Sequence, residues 1–404
     1  MLIETSMPVP LPIDEPIPVK RTSPDATSFA IMFALEGIAR GTLITVIPLQ
    51  AYAILGEARD VSTLFLVVAA VGVVTSFSIP LLVRRIGRGR VYVLGGFCLV
   101  LCAAALATDT LAGQIVGMLA RGFGAACLSI TLSLLIMSYI PKRELVGSEP
   151  RRYLFSAAAW SIGPSLGVFL QIQIGWWTPY AFSGVFALLL LANFWRLRLK
   201  DTPAAPHGAK PASTPIASII RFARQPRLRL AWAISFARMC WWGVFLNYTP
   251  LFLVSAGIDP EIGGLAGSIG NGFLFLTPIW GRIASRIGIR RSIMGAFAVA
   301  GIASAVAWAM ASWPLLAGAI MVSGALGATC LDALGMIPFM RAVHPYERSE
   351  MMTVWRTNQD AADFASNTAL AALLSLFELP VVFLAAAAVT LALMVVSRHL
   401  PRRM

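Results

Sequence analysis

Gly281-Arg282-Ile283-Ala284-Ser285-Arg286-Ile287-Gly288-Ile289-Arg290-Arg291 is a short basic turn between two long apolar runs. A degraded copy stands near residue 85, as Pro80-Leu81-Leu82-Val83-Arg84-Arg85-Ile86-Gly87-Arg88-Gly89-Arg90. At an offset of 201, Arg85-Ile86-Gly87 falls on Arg286-Ile287-Gly288, Asp60 on Glu261, and Ser148-Glu149 on Ser349-Glu350. At 202, Glu36, Gly41 and Pro48 fall on Arg238, Gly243 and Pro250; at 203, Ala126-Cys127-Leu128 falls on Thr329-Cys330-Leu331. Ordered matches at a near-constant offset indicate a duplicated chain.

Outward from these turns the sequence is apolar. Hydrophobic residues make up 58% of the 404 residues and charged ones 13%, with a mean hydropathy of +0.77. A soluble domain carries about 45–50% and about 25%, so a soluble globular enzyme is excluded. At roughly 20 apolar residues per bilayer crossing, the length accommodates about twelve crossings. Apolar runs bounded by charges, Gly and Pro place spans 1 to 6 near 27–54, 60–83, 91–107, 111–140, 153–174 and 179–197. Spans 7 to 12 follow near 229–256, 260–284, 291–311, 314–340, 350–377 and 379–397. The expected fold is therefore an all-α polytopic membrane protein. Its parts are an N-terminal tail (1–26), a six-helix bundle (27–199), a linker (200–228), a second six-helix bundle (229–397) and a short tail (398–404). Within the linker, Ile216 to Arg224 has the pattern of a short interfacial helix. The proline-bearing N-terminal tail lacks a basic segment followed by an apolar one, so span 1 is expected to act as its own insertion signal.

The net charge of +13 is unevenly placed. All of the 32 Lys and Arg except Arg40, Arg59, Arg121, Arg238 and Arg356 lie in, or at the span ends bordering, the tails, the linker and the even-numbered connections. The opposite connections carry Glu57, Asp60, Asp109, Asp259, Glu261 and Glu378. A Lys/Arg excess marks the cytoplasmic face, so both termini are expected there, in a bacterial-type cytoplasmic membrane. Topology accounts for the basicity, and no nucleic-acid partner is expected. Cys98, Cys102, Cys127, Cys240 and Cys330 fall inside apolar runs, while His207, His344 and His399 stand apart in expected loops. Neither set has disulfide or zinc spacing, and no metal, cofactor or hydrolytic chemistry is expected.

The basic turn after span 8 resembles the Gly-x-Leu-x-Asp-Arg-x-Gly-Arg-Arg loop of the major facilitator superfamily. In the copy after span 2, Arg84 occupies the acidic position and Pro80 replaces the glycine. Gly163-Pro164-Ser165-Leu166-Gly167 in span 5 is similar to the Gly-Pro-x-x-Gly core of the motif associated with antiporters, and Arg121 is similar to that family's intramembrane arginine. The resemblance covers nearly the whole chain and is closest to the twelve-helix drug:proton antiporter branch. It implies two six-helix bundles related by an axis along the membrane normal, with spans 1, 4, 7 and 10 around a central cavity. It also implies gating by Arg84, Arg85 and Arg286, and a hinge at Gly163, Pro164 and Gly167.

Ionisable residues deep in the spans carry the functional expectation. Each costs at least about 2.5–3.5 kcal/mol at mid-helix against hydrocarbon, so each must face protein or water. Glu36 and Arg40 are four apart and share one face of span 1. A carboxylate beside a cation that comes and goes suits proton coupling. Glu36, Arg40, Arg121 and Asp332 are the expected coupling residues. Arg238 with Trp241, Trp242, Phe245 and Tyr248 in span 7, and Asn271 in span 8, are the expected substrate contacts. Arg356, Asp360, Asp363 and Asn367 form one polar stripe along span 11, expected as a gate in which Asp360 pairs with Arg356 or with Arg84 or Arg85. The expected function is secondary transport of a small organic solute by alternating access, coupled to protons and directed to efflux. Membrane lipids and protons are the other partners, and a monomer is expected. The alternatives are uptake or exchange of an anionic or lipid-like solute by the same fold, and a non-transporting membrane scaffold or sensor.

Overall fold

The computed structural model describes residues 26–76, 78–139, 157–197, 215–343 and 348–401, and they are helical almost throughout, without a β-strand. A chain this apolar can satisfy its backbone N–H and C=O groups in lipid only within helices. Span 1 runs as Ala26–Gly41 and Val46–Leu55, span 2 as Ala58–Ser76 and Ile79–Ile86, span 3 as Arg88–Leu106, and span 4 as Leu111–Tyr139. Span 5 is Ala157–Ile174 and span 6 Thr178–Leu197. In the second half, span 7 is Pro226–Gly243, a π-helical turn Val244–Tyr248 and Thr249–Ser255, and span 8 is Pro260–Ile287. Spans 9 to 12 are Ile289–Ala309, Pro314–Ala342, Arg348–Leu374 and Val381–Val396. Among the described residues nine helices are long and apolar enough to cross a membrane. Spans 2, 7 and 11 are not among them: span 2 is described in two pieces, and arginines, acids and amides dilute the apolar content of spans 7 and 11.

The duplication is visible in the backbone. Gly87 and Gly288, which end the second helix of each half, have φ of 89° and 90°; Gly56 and Gly257, which end the first, both have φ of 81°. Glycine takes this left-handed region without a Cβ clash. The interruptions also correspond: span 1 leaves α-helical winding at residues 42–45 and span 7 at Val244–Tyr248, about 202 residues later.

One end of the bundle carries Gly87, Gly288 and the start of span 1, together with most of the described arginines; we call it the basic end, and its opposite the far end. Exposed Trp176, Trp177 and Trp313 ring the far end, as amphipathic rings do at a membrane interface. The linker helix Pro215–Arg224 lies on spans 7 and 11, with Phe222 buried against Leu228, Phe339 and Met351. Span 7 follows directly at Pro226, three residues before its expected start. The last segment does not leave the body at residue 398: a 3-10 turn, Ser397–His399, returns Leu400 to a core with Ala284, Ile289 and Ile293, where its side chain escapes water.

Contacts between the halves concentrate toward the far end. Ser62 of span 2 and Tyr248 of span 7 share a hydroxyl hydrogen bond at 2.8 Å, and Gln173 donates to Glu261 at 2.8 Å. Deeper, the Ser165 N–H donates to Ser268 Oγ at 2.9 Å, and a Cβ on Gly264 would press on Pro164 and Val168. Toward the basic end, Arg356 of span 11 donates to Ser129 of span 4 at 2.7 Å.

Candidate functional site

The buried charges form two clusters, one in each half. In the first, Arg40 Nη1 donates to Glu36 Oε1 at 2.8 Å, a pair formed along one helix face as the four-residue spacing dictates. Glu36 is 3% exposed, so the pair is held largely out of water. The Arg40 guanidinium also stands 5.6 Å from the Trp160 ring, close enough for cation–π attraction. Arg121 reaches the cluster from span 4, but it donates to the Arg40 carbonyl at 3.4 Å and not to Glu36. Of the two cations considered as partner for Glu36, the structure brings Arg40 into contact.

The second cluster joins two helices. Arg238 of span 7 pairs with Asp332 of span 10, and Trp242 Nε1 donates to the other Asp332 oxygen at 2.9 Å. One carboxylate thus ties together the arginine and the indole that face it. The other aromatics of span 7 turn away from this polar pair. Trp241, Phe245 and Tyr248 are each 1% exposed and pack among themselves and with Met321, Ala325 and Phe383. Trp241 and Phe245 stack at 5.1 Å, Trp241 Nε1 donates to Ser304, and Phe245 lies so close to Gly270 that a Cβ there would not fit. Asn271 is likewise buried and gives its amide to Gly267 of its own helix. Among the expected substrate contacts, Arg238 and Trp242 both meet Asp332, Trp242 while also packing edge-on against Trp241 and Phe245, whereas Trp241, Phe245, Tyr248 and Asn271 are buried with partners elsewhere.

Span 11 places its stripe along the interface. Arg356 bonds to Ser129, and Asp360 lies in its field one turn further on. Asp363 is exposed, yet the charged groups within its electrostatic reach are Asp360 on its own helix and Arg121 and Arg40 of the interior, with Cys240 also nearby. A carboxylate exposed among interior groups faces an aqueous crevice, not lipid. Asn367 donates to the Asp363 backbone carbonyl. Arg85 and Arg286 are exposed at the basic end, and Asp360 makes no ion pair among the described residues. The side chain of Arg84 lies outside the described residues.

The glycines of span 5 serve close approach. A Cβ on Gly163 would strike the Gly41 backbone and one on Gly167 the Thr42 carbonyl, so span 5 lies directly on the interruption in span 1. The α-helix continues through Pro164, and irregular winding comes later, at Leu170–Ile174.

Ser129, Trp160 and Ser62 escaped the reading of the sequence. For Ser129 a signal existed: it falls on Asp332 at the offset of 203 that also aligns Cys127 with Cys330. Trp160 and Ser62 have no such signal, since their roles depend on which helices meet.

The sequence profile described as Major Facilitator Superfamily matches residues 29–274, more than half of the chain. The chain belongs to the Major Facilitator Superfamily. Solved structures agree in fold. A POT family transporter crystallised with 5-aminolevulinic acid superposes with a TM-score of 0.75 at 13% identity, over 92% of this chain and 94% of that one. A variant of the nucleoside transporter NupG gives 0.73 at 14%, over 92% and 98%, and a variant of a peptide transporter POT gives 0.69 at 15%, over 92% and 93%. No curated protein sequence matches the chain. A Major Facilitator Superfamily chain is a multi-pass membrane protein of transporter type and not an enzyme, and this member carries one buried charge pair in each half.

Proposed function

We propose that this protein is a secondary active transporter that moves a small organic solute by alternating access. The observation that carries this reading is the exposed Asp363 among interior charges from both halves, in a molecule whose inter-half contacts concentrate at the far end. A crevice closed at one end and lined by opposed charges is what a solute pathway requires, and such charges gain little from a purely structural body. The Lys/Arg distribution supports a cytoplasmic basic end in a bacterial-type inner membrane, so the arrangement corresponds to an inward-facing form.

Proton coupling is assigned to Glu36. A proton on its carboxylate removes the charge that holds Arg40, and Arg40 then has reason to seek another acceptor across the crevice. Arg238 and Asp332 orient cargo or add to coupling, and the Arg356–Ser129 bond is one strut toward the basic end that does not by itself seal it. The antiporter-like Gly163-Pro164 motif supports efflux in exchange for protons, as in the drug:proton antiporter branch.

Two measurements test this reading. Spin labels at Leu81→Cys and Ile283→Cys, both exposed at the basic end, are expected to show two distance populations whose ratio changes with pH. A single fixed distance would refute alternating access. In proteoliposomes, solute flux driven by a pH gradient is expected to vanish with a protonophore, whereas partner-dependent signalling without flux would favour the scaffold reading.

A further inference from the structure

Two charges of opposite sign, neither of them neutralised, approach the same interior space from opposite halves. Arg121 enters from span 4, ten residues from Leu111 and so about 15 Å from the far end of its helix. Its Nε is buried with no hydrogen-bond partner, and its contact with the Arg40 carbonyl is long, at 3.4 Å. Glu36, the nearby carboxylate, already binds Arg40, whose own Nε is also buried and unpartnered. Two guanidinium groups therefore stand against one carboxylate, with donors that lack acceptors.

Across the crevice, Asp363 lies eleven residues from Leu374, about 17 Å from the far end of span 11 and so at a matching depth. Its carboxylate makes no hydrogen bond or ion pair among the described residues, and it is exposed. Asp360 adds a second carboxylate to the same wall, with Arg356 in its field. Arg121 and Asp363 feel each other's charge without touching.

We propose that Arg121 and Asp363 form the two ends of a binding site for a small zwitterionic solute, with Arg121 taking its carboxylate and Asp363 its ammonium group. A plain carboxylate placed here satisfies Arg121 but sits beside the unpaired Asp363; a plain amine meets Asp363 but faces two arginines. A molecule carrying both groups completes both walls, and because the walls belong to different halves it also draws the halves together. A planar guanidinium suits a carboxylate because it can donate two parallel hydrogen bonds. This assignment rests on the transporter reading.

The test uses the full chain in lipid nanodiscs and amino-carboxylates of increasing length, from glycine through 4-aminobutyrate to 6-aminohexanoate. The controls are the carboxylates and amines of the same chain lengths. At least one amino-carboxylate is expected to raise the unfolding temperature and to bind at least about tenfold more tightly than both of its singly charged counterparts, the effect of one discriminating charged contact. Asp363→Asn is expected to abolish the preference over the plain carboxylate while leaving carboxylate binding intact, a change of selectivity that mere destabilisation would not produce. Arg121→Gln is expected to abolish carboxylate binding, with partial recovery in Arg121→Lys. Equal binding of zwitterion and plain carboxylate, unchanged selectivity in Asp363→Asn, or no binding by any of the series would overturn the proposal. The spin-label distances keep the two readings apart: two populations without zwitterion binding defeat this assignment alone, whereas a single population defeats the transporter reading beneath it.

Discussion

The two halves descend from one repeat yet hold their buried charges by different means. In the first half Glu36 and Arg40 share one helix, so helix geometry keeps them together wherever span 1 moves. At the position of Glu36 the second half has Arg238, and its carboxylate comes from another helix, at Asp332. That pair survives only while spans 7 and 10 stay packed. Asp332 in turn corresponds to Ser129, which bonds Arg356 of the opposite half. One repeat position thus ties a half to itself in one copy and to its neighbour in the other. A pair within a helix can exchange partners during transport, while a pair between helices makes its half a rigid body.

The largest expected effect comes from breaking the inter-helix pair. Asp332→Asn leaves Arg238 without its charge partner and weakens the Trp242 bond, and both residues are only partly exposed, at 15% and 20%. About 3 kcal/mol of stability should be lost, read as a lower thermal midpoint in nanodiscs; an unchanged midpoint would show that spans 7 and 10 do not depend on the pair. Next comes Gly167→Val, which drives a side chain into the Thr42 carbonyl and should destabilise by about 1–3 kcal/mol. The corresponding place in span 11, near Thr368 and Ala369, is exposed, so Ala369→Val should stay within about 0.5 kcal/mol. Similar losses at both sites would erase the asymmetry between the halves.

Glu36→Gln sharpens the comparison further. The amide oxygen still accepts from Arg40, so the stability loss should be about 1 kcal/mol, but flux should lose its pH dependence. A retained pH profile would move coupling to another carboxylate. A loss of about 0.5–1 kcal/mol is expected for Ser129→Ala, with the Leu81–Ile283 label distances shifted toward the wider population because one strut at the basic end is gone. No shift in those distances would remove Ser129 from the gate.

The spans, the repeat and the Glu36–Arg40 pair were legible in the sequence because each rests on local rules: bilayer thickness sets the length of an apolar run, and helical periodicity brings residues four apart together. Partner choice between helices was not legible. Asp332 was visible as a charge but not as the mate of Arg238, because spacing along a chain does not say which faces of spans 7 and 10 meet. The aromatics of span 7 show the same gap, since Trp241 and Trp242 are neighbours in sequence yet point about 100° apart around a helix. One fills the core beside Ser304, and the other caps the charge pair. The interruption at residues 42–45 was hidden as well, since no proline marks it; of its two threonines only Thr42 bonds by its hydroxyl, donating to the Ile38 carbonyl at 2.8 Å.

The hydroxyl contact between Ser62 and Tyr248 has an energetic meaning. A neutral bond of this kind is worth about 0.5–1.5 kcal/mol net, hardly more than thermal agitation supplies. Such a fastening behaves as a catch and not as a bolt: by itself it adds little to the cost of parting spans 2 and 7, so what holds that end together is the packing around it.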